Sequence, residues 1–386
     1  MPGWIDEELR RVDARDERRT LTTWPAPGPY VERDGRRYVN LASNDYLGLT
    51  ADGTVREAAA RAARDLGTGA TASRLLAGTC RLHDELESAL AAWKGHPSAL
   101  IFSSGYLAAQ GVIPVVVGRG DWVVADRLSH ASLLDAARLS GATLVRFRHN
   151  DIADAVRQVA ARPQDRRCLL VTESVFSMNG DQAPVTELLE LACESDALLL
   201  VDEAHAIGVC GPRAAGHTAD RPEAEDRLVT LGTLGKSLAS AGGFVTCSRQ
   251  LRQLLINRAR TFLFDTALPP PTLAAALQAV ARIQSHPEWR DQLQSKSTTL
   301  RGHLEAAGLD TMGSRSAILP LLIGDNARAV ACASRLEAAG ILVAAIRPPT
   351  VPPGTARLRL SVSLAHTDED LARVAEAIID IVGTTP

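Results

Sequence analysis

Lysine is almost missing from this chain of 386 residues: Lys94, Lys236 and Lys296 are the only three. Chemistry that needs an amine nucleophile therefore has few candidates. Neither sign of charge prevails, with 42 Lys and Arg against 45 Asp and Glu and a formal net charge of -3. That balance does not suggest a polyanion binder, so no nucleic-acid partner is expected. The six cysteines include no Cys-x-x-Cys pair and are too sparse for a disulfide framework at this length, so buried, reduced thiols are the expectation. Zinc-type His and Cys spacings are missing, and no metal is expected. No apolar run reaches the roughly 18–20 residues that span a bilayer, so no membrane association is expected. The stretch Met1 to Glu8 lacks the basic start and apolar core of a secretory signal, which points to a cytoplasmic protein. No Gly-x-Gly-x-x-Gly follows a strand-like run, which disfavours a dinucleotide-binding oxidoreductase.

What is present reads as an ordinary globular chain, 46% hydrophobic and 23% charged, long enough for one large domain and a smaller one. Residues 1–20 predict a charged helix, broken by Pro25, Pro27, Gly28 and Pro29. A hairpin follows, with Asp34-Gly35 as its turn. Helices are predicted over 53–66 and 81–94, the second with Leu82, Leu86, Leu90 and Trp93 on one face. From residue 98 short apolar runs alternate with helical stretches. The runs start at Ala99, Trp122, Cys168, Ala197, Leu228 and Phe244 and read as strands buried on both faces of a mostly parallel sheet. Pro269-Pro270-Pro271 marks a break, followed by a long helical stretch to about residue 306. The tail, with strands near 317–323, 341–346 and 357–362 and helices near 326–339 and 368–382, reads as a smaller α+β domain.

Reactive groups cluster just after the runs: Ser103-Ser104-Gly105, Asp126, Glu173-Ser174, Asp202 to His205, and Thr233 to Lys236. Ligands of open α/β sheets bind outside the carboxyl ends of the strands, so the clustering predicts one shared site. Lys236 lies in Gly232-Thr233-Leu234-Gly235-Lys236-Ser237. A partly desolvated lysine there has a lowered pKa and can form a Schiff base; the alternative is a surface turn. The glycine spacing is wrong for a phosphate-binding P-loop. Lys94 and Lys296 read as solvated residues on polar helix faces. Asp202 ends the most hydrophobic run; it is either a helix N-cap or the partner of a buried cation such as a protonated pyridine nitrogen. Ser103 to Tyr106 opens a helix whose N-terminus can hold a phosphate. His130 reads equally as a core residue, a cap neighbour or an aromatic platform.

Taken together, these stretches resemble the α-oxoamine synthases, enzymes with the type-I fold of pyridoxal-phosphate (PLP) dependent transferases. The likeness runs from Leu41-Ala42-Ser43-Asn44-Asp45-Tyr46-Leu47-Gly48-Leu49 to the C-terminal helix. It includes Asp126-Arg127-Leu128-Ser129-His130, Val175-Phe176-Ser177-Met178-Asn179-Gly180 and Ile346-Arg347-Pro348-Pro349-Thr350-Val351-Pro352. The resemblance implies an α/β fold with an N-terminal segment (1–45), a large PLP-binding domain (46–280) and a small C-terminal domain (281–386). It implies a PLP-dependent acyltransferase that condenses L-alanine with a pimeloyl thioester, on coenzyme A or an acyl carrier protein. Glycine with acetyl-CoA, or PLP binding without catalysis, are the alternatives.

Roles carry over by position. Lys236 would bond the cofactor, and Asp202 would pair with its ring nitrogen. His205 and Ser177 would flank the ring oxygen, and His130 would stack on the ring. Gly105, Tyr106 and Thr233 would meet the phosphate. Thr266 would reach a phosphate across the interface of a homodimer. Arg347 would bind a carboxylate, Asn44 and Thr350 would line the substrate site, and Arg18, with Arg19 as its neighbour, would lie near the acyl chain. Ala72 and Ala206 stand where the family favours other small residues.

Overall fold

The structure is a computed structural model that describes residues 3–25, 28–221, 224 and 226–385. Met1 and Pro2 of the expected first helix, and Pro27 of the expected break, lie outside the described residues. The chain forms two compact units: Met1–Gly48 with Met178–Asp181 and Asp291–Pro386, and Leu49–Ser177 with Gln182–Arg290.

The smaller unit starts with α1 (Gly3–Asp13), shorter than expected: the chain turns at Asp16, whose φ is 53°. Strands β1 (Tyr30–Arg33) and β2 (Arg36–Asn40) pair antiparallel. Asp34 and Gly35 both take positive φ, as a two-residue hairpin turn of matching twist requires.

The larger unit carries α2 (Gly53–Leu66) and α3 (Arg81–Lys94), both where the periodicity predicts them. Leu86, Leu90 and Trp93 of α3 are fully buried. Its sheet contains β3 (Ser98–Phe102), β4 (Trp122–Asp126), β5 (Thr143–Phe147), β6 (Cys168–Glu173), β7 (Leu198–Asp202), β8 (Leu228–Thr233) and β9 (Gly243–Cys247). The order is β3-β9-β8-β7-β6-β4-β5, and only β9 runs against the rest. Alternate residues of each central strand enter opposite layers. Leu169, Val171 and Leu200 join the core that holds Val112 and Leu133; Leu170, Leu199 and Val201 join the one that holds Leu188 and Val159. Burial on both faces explains why these strands lack polar alternation. Strand β5 has no apolar run to mark it in the sequence: it lies at the sheet edge, half exposed, with a polar Thr143 at its start and Arg146 next to its end.

Two further helices begin at strand ends. Helix α4 (Gly105–Val116) is capped by Ser104, whose Oγ accepts from Leu107 N at 3.1 Å. Helix α5 (Ala131–Ser140) is capped by His130. The long helical stretch after the prolines divides into Pro270–Gln284 and Glu288–Ala306, with Pro287 between them. Among the described residues no helix is long and apolar enough to cross a membrane.

The smaller unit is completed by β10 (Ile318–Gly324), β11 (Ile341–Leu342), β12 (Ala344–Ile346) and β13 (Ala356–Ser361), with helices Asn326–Ala338 and Asp368–Thr384. The expected 341–346 strand is split at Val343. Its first half pairs parallel with β2, and its second half joins the β10-β13-β12 sheet. This pairing places the N-terminal segment and the C-terminal region in one unit.

Candidate active site

In the larger unit the carboxyl ends of β3, β4, β6, β7 and β8 carry the predicted groups. Lys236 follows β8, and its Nζ stands 2.7 Å from His205 Nε2, the ammonium donating to the imidazole. Asp202 ends β7 and is 7% exposed; its Oδ1 accepts from Ala204 N at 2.9 Å. Burial raises the Asp202 pKa, opposed by the charges of Lys236 and His130 and by the Ala204 amide. Its ionised form thus calls for a nearby cation or donor.

His130 both caps α5 and faces this cluster. Its Nδ1 accepts from Ser132 N at 3.2 Å and stands 2.8 Å from Ser132 Oγ, which fixes the ring orientation. The residue is partly open to solvent, yet desolvation dominates its environment and lowers its pKa, with Asp202 pulling the other way. Ser177 lies in the loop after β6, and its amide donates to Glu173 Oε2 at 3.2 Å.

At the start of α4, Gly105 has space beside it: the nearest atom to a Cβ there would be 3.8 Å away. Gly243 of β9 is a different case. A Cβ there would lie 2.4 Å from Gly105 N, so only glycine lets β9 pass the helix N-terminus this closely. Thr233 Oγ1 donates to Gly242 O and accepts from Gly235 N, both at 3.1 Å, so it shapes the lysine loop as well as facing α4. The main chain of Thr266 bridges Ser73, and its carbonyl accepts from Ser103 Oγ at 3.3 Å. An amine, a buried carboxylate and a helix N-terminus at the strand ends of one sheet form the donor set for an aldehyde-bearing pyridine with a phosphate arm. The PLP expected from the sequence fits these residues.

The remaining predicted residues belong to the smaller unit. Arg347 Nη1 donates to Asp16 O at 2.5 Å and Nη2 to Arg18 O at 3.4 Å. The Arg18 guanidinium pairs with Asp13 at 2.7 Å, while Arg19 Nη2 donates to Pro348 O at 3.1 Å. Thr350 is exposed, and its amide closes a turn on Arg347 O. Asn44 keeps other company: its Oδ1 accepts from Arg359 Nη1 and Nη2 at 3.1 and 3.2 Å. Arg359 is 4% exposed and was missed, because on sequence it reads as one of two arginines in an apolar strand.

Three expectations need correction. Lys94 is not solvated: it is 0% exposed, and its Nζ donates to Glu203 Oε2, to Ala215 O at 2.7 Å and to Thr218 Oγ1 at 2.8 Å. Burial is the largest influence on both groups. It lowers the Lys94 pKa against the pull of Glu203, whereas Glu203's pKa falls because Lys94 and Thr218 outweigh its desolvation. Lys296 is also mostly covered and pairs with Asp368 at 2.6 Å. Among the cysteines, Cys193 is exposed and Cys80 half-buried; all six are free. Asp126 proves to be a loop anchor, fully buried, holding His149 at 3.0 Å and the amides of Leu128 and Asn150. Among the described residues no cluster of three or more potential metal ligands occurs.

Comparison with known proteins agrees with this geometry. The aminotransferase class I and II family profile matches residues 36–378. The 8-amino-7-oxononanoate synthase of Anaeromyxobacter dehalogenans is 47% identical over 389 residues, covering 99% of this chain and 97% of that protein. That of Aromatoleum aromaticum is 45% identical over 375 residues, covering 97% of each. Among solved structures, a serine palmitoyltransferase from S. paucimobilis with bound PLP-myriocin aligns at a TM-score of 0.92 and 32% identity, over 99% of this chain and 98% of that one. An 8-amino-7-oxononanoate synthase from Francisella tularensis aligns at 0.77 and 25% identity, over 90% and 98%. The chain belongs to the aminotransferase class I and II family and has the type-I fold of PLP-dependent transferases. Within that class it belongs to the 8-amino-7-oxononanoate synthases.

Proposed function

We propose that this chain catalyses the decarboxylative condensation of L-alanine with a pimeloyl thioester, giving 8-amino-7-oxononanoate, carbon dioxide and the free thiol carrier, a step of biotin synthesis. The observation that carries the reading is the Lys236–His205 pair beside buried Asp202, in a chain 47% identical to synthases of this name. PLP is the cofactor; when bound it supplies the electron sink that makes the amino acid's α-carbon acidic.

The chain's own groups do the rest. Lys236 would hold the cofactor through its amine, and the same amine, when free, would serve as the base that takes the α-proton and later returns one. His205 Nε2, already in contact with Nζ, orients that amine. Asp202 would keep a proton on the ring nitrogen, since its buried negative charge needs a cation. His130 would cover one ring face, held in its rotamer by Ser132. The open amides at the start of α4 bind the phosphate, aided by the helix dipole. Ser177 would meet the ring oxygen, and Arg347 would grip a substrate carboxylate through its fork on leaving the Asp16 and Arg18 carbonyls. Asn44, Thr350 and Arg18 complete the substrate contacts. Thr266 acts across a dimer interface.

Product formation from L-alanine with pimeloyl-CoA tests the reading. Glycine with acetyl-CoA and L-serine with palmitoyl-CoA are the competing pairs. Preference for either competitor refutes the substrate assignment. Lys236→Ala should lose turnover and covalent cofactor together, and borohydride reduction of the wild type should label the Lys236 peptide. A label elsewhere overturns the site.

A further inference from the structure

Glu173 is a second carboxyl at the sheet's active edge. It ends β6 as the register partner of Asp202 on β7, and adjacent strands lie only about 4.8 Å apart. It is 3% exposed. Oε2 accepts the Ser177 amide at 3.2 Å, and the nearby main chain of His130 favours the charged form of the carboxyl. Oε1 is buried and has no hydrogen-bond partner among the described residues. One side chain therefore holds the Ser177 loop and stands against the loop that carries His130.

The charged neighbours come from three elements. Asp202 on β7 disfavours ionisation, while Lys236 after β8 and the His130 loop after β4 favour it. Asp126 and His149, at the ends of β4 and β5, are engaged with each other. Burial is the largest influence, and with Asp202 it pushes the Glu173 carboxyl up to about 8. Two ionised carboxylates this close and this deep would repel strongly.

We propose that Glu173 is a positioning residue: as a neutral acid it anchors the Ser177 loop to β6, against the His130 loop, without setting a second negative charge beside Asp202. The inference rests on the functional reading above for what those loops hold. It makes its own demand, that the position needs the shape and hydrogen bonds of a glutamic acid but not its charge.

Glu173→Gln and Glu173→Ala separate shape from charge. Cofactor-free protein at neutral pH should show the infrared carbonyl band of a buried protonated acid. That band should vanish in Glu173→Gln, and in the wild type as pH rises through about 8. The folded pKa lies above the ordinary 4.5, so Glu173's contribution to stability is complete below 4.5 and is lost as pH rises through about 8. The melting temperature of Glu173→Gln should therefore decline less over that window. With PLP, Glu173→Gln should bind within about threefold of wild type and Glu173→Ala at least about tenfold more weakly, the cost of leaving the Ser177 amide unpaired and the loop packing lost. An infrared band unchanged in Glu173→Gln, or a glutamine variant as impaired as the alanine one, overturns the inference. A wild type that never binds PLP overturns the functional reading instead and leaves the infrared result standing.

Discussion

The Lys94 ammonium sits in a closed cage of oxygens from Glu203, Ala215 and Thr218, and Glu203 adjoins Asp202 in the chain. Glu203 also accepts from Thr218 N at 3.0 Å. The pair thus clamps the segment just beyond the end of β7, from behind the site. Removing one partner strands the other charge in the interior, so Lys94→Met should destabilise the fold by about 3–5 kcal/mol. Urea unfolding measures this, and adding Glu203→Gln to the variant should recover part of the loss. A Lys94→Met variant of unchanged stability would show that the cage is not an ion pair. Nothing in the sequence marks Lys94 as buried. Its position follows Trp93 on the helix, and the 3.6-residue period leaves either side open.

At the scale of elements, two histidines close helix and loop ends. His83, in the first turn of α3, accepts the Cys80 amide through Nδ1 at 3.2 Å. His366, just before the last helix, accepts the Ser363 amide at 3.1 Å and donates from Nε2 to Pro29 O at 3.2 Å. Both are buried, and desolvation lowers each to about 4. The folded values lie below the ordinary 6.5. The unfolded chain then binds more protons in that window, so stability present above 6.5 is lost as pH falls through about 4. Each histidine should cost up to roughly 1.4 kcal/mol per pH unit there. Melting temperatures measured from neutral to acid pH should fall in the wild type and fall less in His366→Asn; equal slopes would refute the assignment.

For the molecule as a whole, the predicted partner is a second copy of the chain. Around the phosphate end of the site the larger unit exposes Leu76 (82%), Phe264 (72%) and Leu75 (50%). The 72–76 and 264–267 stretches are joined there by the Ser73–Thr266 bridge and the Ala267 N to Ala72 O hydrogen bond. Large apolar side chains rarely gather in the open without a partner. A Leu76→Asp, Phe264→Asp double variant should therefore run as a monomer by light scattering and bind PLP more weakly. A wild type that is monomeric and fully active would sink the dimer.

The parallel sheet, the gathering of reactive residues at its strand ends and the Asp34-Gly35 hairpin were legible in the sequence, because each depends on local pattern: unbroken apolar runs, glycine-rich turns, and polar residues placed just after strands. Lys236 stood out for the plainest reason, that the chain has only two other lysines. Long-range pairing was not legible. The parallel match of Ile341 with Val39, the burial of Lys94 against Glu203 and the partnership of Asn44 with Arg359 join residues about one hundred to three hundred positions apart. Glu173 is the sharpest case. Its place after an apolar run marked it as chemistry, but its charge state depends on Asp202 lying beside it across two strands. Electrostatic energy in a dry interior is set by distance through space, which the order of residues along the chain does not contain.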